Sequence, residues 1–400
     1  MINQPLEEDQ LQACRQAIDN AEWVDTDARL ADLCRQWRQQ DRVAIDTEFQ
    51  RTDTFYPIPG LIQVGSEGQA FLIDPQSITN FSPLIELLND EAVLKLVHAG
   101  SEDLELFVHS FGAVPKPLFD TQTACAFLGL GLSVGYQRLL STLFGLEVDK
   151  QETRSDWLQR PLTESQCHYA AEDVVFLELI YQRLLPRLEA ESKFDWVLEE
   201  CGYAAAEALA PPQMDNYYLR FKQAWKLRQE QLSVLYTLSG WREREARERD
   251  MPRNFVLHNS SLQSIATRLP GSMGALSKVE RIRGRTLSKD GKTLLELVKQ
   301  GLERDDQARI PAPERPLPSR CGAQLKQLKA LVNERAEVLD IAPELMVKRK
   351  DMEALVRSQL DTGEAVLPAG LQGWRQQVIG NALQALLNEN NSETSNETQA

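Results

Sequence analysis

Apolar positions along the chain follow two different periods. Between residues 43 and 97 they come in short runs: Val43-Ala44-Ile45, Leu61-Ile62 with Val64, Ala70-Phe71-Leu72-Ile73, and Val93 to Val97. Runs of this length bounded by turn residues predict strands. Ser66-Glu67-Gly68-Gln69 supplies a turn between two of them, so the first three strands read as a meander. A helix through Ala28, Leu30, Leu33 and Trp37, with Thr26 as N-cap, leads into the first, and a second helix covers Pro83 to Leu88. After Val97 the spacing becomes helical and stays so to about residue 200, with no further strand expected. This order predicts an α/β domain, a mixed sheet with helices over it, spanning residues 23–210 behind a polar extension at 1–22. Pro211-Pro212 ends that lobe, and residue 210 is the expected point at which it could be cut free.

From Asp215 the pattern is helical only. Residues 215–300 form one expected all-α module, with Trp225, Leu232, Leu235, Tyr236 and Trp241 on its first long amphipathic stretch. Residues 301–321 carry Pro311, Pro313, Pro316 and Pro318 and read as a stiff linker. A second module at 322–388 echoes the first: Pro343 with Leu345-Met346-Val347 answers Pro252 with Phe255-Val256-Leu257, and Gly380 with Leu383, Leu386 and Leu387 answers Gly291 with Leu294, Leu297 and Val298. Residues 389–400 read as a disordered polar tail.

Composition narrows the chemistry. No run of eighteen apolar residues exists, and the acidic start lacks the basic and greasy segments of a signal peptide, so a cytoplasmic protein without membrane attachment is expected, with a monomer as the default state. The six cysteines stand singly and there are only four histidines, which leaves any metal to oxygen ligands and favours Mg²⁺ or Mn²⁺. Charge is unevenly spread. Residues 1–216 carry a net −21 and residues 217–300 a net +9, as if one lobe did chemistry and a basic module captured a polyanion. A solvated helical surface is the plain alternative for the basic stretch.

Three acidic segments give this chemistry a location. On a strand through Val43 to Phe49, alternation sets Asp46 and Glu48 on one face, where two carboxylates either raise a pKa or share a cation. Asp103 falls in the first turn of a helix whose expected N-cap is Ser101. On a later helix Tyr169 and Asp173 are one turn apart on one face, while Val174 and Leu177 point inward. Each has an ordinary explanation alone: a solvated strand end, an acid stabilised by a helix dipole, a tyrosine beside a surface acid.

In that order the segments resemble the DEDD superfamily of 3′-to-5′ exonucleases, in its tyrosine-bearing subclass. Asp46-Thr47-Glu48-Phe49 with Arg51 and Tyr56-Pro57, Gly60-Leu61-Ile62-Gln63, His98 to Phe107, Asp120-Thr121-Gln122, and Arg154-Ser155-Asp156-Trp157-Leu158 with Arg160-Pro161-Leu162 are similar to the bacterial ribonuclease D family. Both helical modules resemble the HRDC domains that follow the nuclease there. The likeness runs from about residue 23 to 388 and implies a ribonuclease H-like nuclease domain with two divalent ions. It implies that Asp46, Glu48 and Asp173 hold the ion that activates water, that Asp46 and Asp103 hold the ion at the leaving oxygen, and that Tyr169 orients the water. Phe49 and His98 are candidates to touch the terminal nucleotide, with core packing and a structural hydrogen bond as alternatives. Arg244, Arg247 and Arg283 are candidate contacts to RNA, although glutamates interleaved with the first two offer them other partners. The implied activity is trimming of 3′ ends of structured RNAs, tRNA precursors above all, with release of nucleoside 5′-monophosphates. A 3′-to-5′ DNA exonuclease and a non-catalytic nucleic-acid-binding scaffold are the rival readings.

Overall fold

The computed structural model describes residues 4–148, 152–304 and 309–397. It divides into two compact units, one formed by Met1–Gln50, Pro59–Leu209 and Leu317–Ala400, the other by Arg51–Ile58 and Ala210–Pro316.

The first unit is built on a sheet of β1 (Glu22–Val24), β2 (Arg42–Gln50), β3 (Ile58–Ser66), β4 (Gln69–Ile73), β5 (Leu94–Val97) and β6 (Leu118–Asp120). The strand order is β1-β4-β3-β2-β5-β6, with β3 and β4 antiparallel and β5 running parallel to both β2 and β6. Alternation feeds two cores. Val43, Ile45, Ile62, Val64, Phe71 and Ile73 enter one with α2 (Asp27–Trp37) and α3 (Ser82–Asn89). Ala44, Leu61, Ala70, Leu72 and Leu96 enter the other, under α7 (Glu164–Ala190).

The structure adds to the expected elements. Strands do not stop at Val97, because β6 pairs with β5, and β1 pairs with β4 in parallel. Both are three residues long, too short for a period to register. The polar extension contains α1 (Glu8–Asp19), whose Cys14 and Ile18 are buried in the core below α7. At α4 (Ser101–Phe111) the N-cap is Gly100 rather than Ser101. Asp120 holds the turn that leads into this helix, its carboxylate accepting from Ala99 N and Gly100 N at 3.0 and 3.1 Å.

The second helical module does not stand apart from the nuclease lobe. It comprises α14 (Gly322–Leu339), α15 (Pro343–Met346), α16 (Arg349–Thr362) and α17 (Asn381–Glu397), and its core is continuous with that of the lobe. Trp374 stacks on Trp196 at 5.2 Å and meets Phe127 edge-on, while Arg375 ion-pairs with Glu200. A cut at residue 210 would therefore strip the lobe of core side chains, contrary to the expectation from Pro211-Pro212. The backbone of α17 continues past the expected start of the tail at 389, a cheap extension once Leu383 and Leu387 anchor the helix. Residues 398–400 of that tail, and 305–308 of the linker, lie outside the described residues.

In the second unit α9 (Gln229–Glu248), α11 (Asn259–Arg268) and α13 (Gly284–Leu302) close around Leu235, Leu238, Trp241, Leu262, Ile265, Leu294 and Val298. Phe55, from the segment Arg51–Ile58, joins this core.

Candidate active site

Strand β2 presents Asp46 and Glu48 from one face, as alternation requires, and α7 brings Asp173 to them. One carboxylate oxygen from each lies within 4.8 Å of the other two. Helix α7 is started by a capping box, Thr163 accepting from Gln166 N while the Gln166 side chain accepts from Thr163 N. Its approach to the sheet is set at Gly65 on β3. A Cβ there would lie 2.7 Å from the carbonyl oxygen of Val174, the residue after Asp173, so only glycine admits the helix this closely.

Asp103, in the first turn of α4, is buried and held differently. Thr47, the residue between the two strand acids, donates its hydroxyl to Asp103 Oδ1. Asp103 is outside the three-oxygen cluster but close enough for its charge to act on both Asp46 and Glu48.

The electrostatics are those of a site short of positive charge. Burial first, then Asp103, Asp173 and Glu48, pushes the Asp46 carboxyl well above its usual range. Burial, then Asp173 and Asp103, raises Glu48 to about 9. Burial, then Glu172, raises Asp173 to about 8 against a hydrogen bond from Tyr169. Asp103 rises to about 6 through burial, restrained by the Thr47 bond. No basic side chain figures among the leading influences on any of the four. Asp46, Glu48 and Asp173 each keep some exposed surface, so a ligand can reach them. An all-carboxylate donor set with raised pKa values and no cationic partner among the described residues fits a hard divalent cation.

Tyr169 stands one turn before Asp173 as expected, and burial, then Asp173 and Glu48, pushes its phenol up from the usual value. The structure adds Tyr136, at the start of α6 (Tyr136–Phe144). Its hydroxyl lies 2.7 Å from the carbonyl oxygen of Asp173 and 3.1 Å from that of Glu172, bracing the α7 backbone under the site. Nothing at the level of spacing marks it, because its partner is main chain.

His98 has the structural bond, Nδ1 lying 2.8 Å from Thr121 Oγ1, with its ring edge-on to Tyr136 at 5.4 Å. Phe49 packs against the core beneath α2 and α3. Arg247 ion-pairs with Glu243 at 2.7 Å and lies over the Phe55 ring, so the expected RNA contact is committed within its own unit. Arg244 is more exposed and 3.5 Å from Asp215. Arg283 is exposed and lies 5.5 Å over the Phe255 ring.

Comparison with known proteins places these features in a family context. Residues 21–189 match the 3′-5′ exonuclease model, 231–298 the HRDC domain, and 322–383 the ribonuclease D C-terminal HRDC domain. Ribonuclease D of Pseudomonas paraeruginosa is 44% identical over 368 residues, covering 90% of this chain and 96% of that protein. The crystal structure of Escherichia coli RNase D, an exoribonuclease involved in structured RNA processing, matches with a TM-score of 0.86 at 38% identity, covering 92% of this chain and 99% of the other. The catalytic core of RRP6 from Trypanosoma brucei, at 23% identity and a TM-score of 0.54, shares the fold. No helix among the described residues is long and apolar enough to cross a membrane.

Proposed function

The chain belongs to the ribonuclease D family and is a 3′-to-5′ exoribonuclease, and from that premise we propose that it trims the 3′ ends of tRNA precursors in the cytoplasm, using two divalent ions, Mg²⁺ or Mn²⁺. The observation that carries the reading is the convergence of Asp46, Glu48 and Asp173 without a compensating cation among the described residues. When bound, such ions supply an activated water and neutralise the phosphate and the departing 3′ oxygen.

The residues of the chain do the rest. Asp46, Glu48 and Asp173 would hold one ion, and Asp46 with Asp103 the second. Thr47 fixes the carboxylate of Asp103 through its Oδ1. Tyr169 keeps its proton at Oη at neutral pH, because burial and the neighbouring carboxylates push its phenol up, so it orients the attacking water rather than abstracting its proton. Tyr136 holds the main chain of Asp173, which fixes where the Asp173 carboxylate emerges.

A tRNA precursor with an extended 3′ end, a DNA strand of the same sequence, and a chelator control test the reading. Release of nucleoside 5′-monophosphates from the RNA, lost in chelator and restored by Mg²⁺ or Mn²⁺, is the expected result. Equal degradation of the DNA would argue against RNA as the preferred substrate, and chelator-resistant release would remove the metals.

A further inference from the structure

The arginines at the end of α9 and just after it are committed to carboxylates: Arg247 and Arg253 to Glu243, and Arg249 to Glu245 and Asp290. Positive charge without such partners lies elsewhere in the same unit. A cavity of about 610 Å³ is lined by Arg220, Lys222, Arg242 and Asn259, with the ion-paired Arg253 and Glu243 in its wall. We infer that this cavity in the first helical module binds the phosphate group of a nucleotide, held by Arg242 at its base and by Arg220 and Lys222 at its rim.

Arg242 is the main support. It is only 4% exposed, yet its Nε has no hydrogen-bond partner. Its NH1 bonds Leu257 O at 3.2 Å and Asn259 Oδ1 at 2.5 Å, both uncharged acceptors. The nearest carboxylate, Glu243, is 4.0 Å from NH2 and already receives Arg247 and Arg253. A buried guanidinium whose hydrogen bonds go to neutral acceptors, whose one carboxylate is distant and shared, and which keeps an idle N–H is costly unless a further anion completes it. Burial accordingly pushes the Arg242 group down to about 10.

Two further features suit an anion. The ten-residue helix α11 starts at the cavity with Asn259 and Ser260, presenting the positive end of its dipole. At the rim, Arg220 lies 4.4 Å over the Tyr217 ring, and neither Arg220 nor Lys222 has a carboxylate partner among the described residues. The volume is suited to a nucleotide rather than a bare ion. The source is either a phosphodiester of an RNA strand or the 5′-phosphate of a released mononucleotide, a choice that rests on the exoribonuclease reading.

The test uses full-length protein in chelator, so that binding is read without hydrolysis. A fluorescent single-stranded oligoribonucleotide is titrated by anisotropy across a salt series, and AMP and inorganic phosphate by calorimetry. The double variant Arg220→Gln, Lys222→Gln changes two exposed side chains and should fold. Arg242→Gln is followed with circular dichroism because it is buried. If the source is the strand, the rim variant binds the oligonucleotide about tenfold more weakly and its salt slope falls by about 1.4, two contacts at about 0.7 each. If the source is the mononucleotide, AMP binds the wild type and the rim variant loses it. Unchanged affinity and slope for the oligonucleotide, with AMP and phosphate binding unchanged or absent in both proteins, overturns the inference. Mg²⁺-supported cleavage of a dinucleotide is expected to be unaltered in the rim variant. A wild type that cleaves no RNA would sink the exoribonuclease reading while leaving the binding result standing.

Discussion

Glu243 and Glu48 are both glutamates withdrawn from water, and their surroundings differ in sign. Glu243 has no exposed surface, and Arg253 donates to both of its oxygens at 2.7 and 2.8 Å while Arg247 adds a third bond at 2.7 Å. Glu48 has Asp46 and Asp173 around it and is driven up to about 9. A buried carboxylate costs several kcal/mol, which the arginines offset at Glu243 and no cation among the described residues offsets at Glu48. Compensated burial belongs to the architecture of the helical module. Uncompensated burial belongs to a site completed by something from outside. The same contrast ties Arg247 to the scaffold, and it draws attention to Arg242, whose buried charge has only the distant and shared carboxylate of Glu243, 4.0 Å away.

The contrast is broken most severely at the acids. Asp46→Ala, Glu48→Ala, Asp103→Ala and Asp173→Ala are each expected to lower mononucleotide release by roughly 10³-fold or more. Chelated protein should melt no lower than wild type, because each change removes mutual repulsion. A variant with near-normal release would take its residue out of the site. Tyr169→Phe should cost somewhat less, about 10²-fold in kcat with metal affinity retained. Silence there would make Tyr169 a packing residue.

Glu243→Ala tests the other side. It leaves two guanidiniums facing each other and should destabilise the second unit by about 3 kcal/mol, near the low end for a broken buried pair because Arg253 is one-third exposed. Denaturant unfolding measures it, and a loss below about 1 kcal/mol, the range of surface pairs, would mean that the network is ornamental. The mildest effect is on pH dependence. In chelator the raised carboxylates bind protons more tightly folded than unfolded, so their contribution to stability is complete below about pH 4. It is lost as pH rises through the folded values, about 6 for Asp103, about 8 for Asp173 and about 9 for Glu48. The melting temperature should fall with pH in chelator, less so in Glu48→Gln, and Mg²⁺ should flatten the slope. A flat profile in chelator would reveal a compensating partner already present.

What the sequence made legible was local. Two-residue alternation places Asp46 with Glu48, one helical turn joins Tyr169 to Asp173, and Thr26 caps α2 through its bond from Arg29 N. What escaped depends on partners distant along the chain or on main chain. Thr47 reaches Asp103 across 56 positions, Tyr136 bonds carbonyls of α7, and Asp120 holds the turn before a helix that begins some twenty residues earlier. Charge counting located the basic module but could not say which cations were already matched, because Arg253 reaches Glu243 only once the turn before α11 has folded back. Residues 8–19 carry a readable signal, Leu11, Cys14 and Ile18 at helical spacing, hidden by an otherwise polar composition.

The close approach at Gly65 has a further meaning for anyone wishing to move this chemistry to another scaffold. It acts as a gauge: the missing methyl group sets how far Asp173 stands from the strand that bears Asp46 and Glu48. Metal ligands tolerate only about 0.2 Å of error, far less than the thickness of that methyl group. A graft carrying the acids and the tyrosine but seating its helix on an alanine would inherit every reactive atom and still be cut to the wrong length.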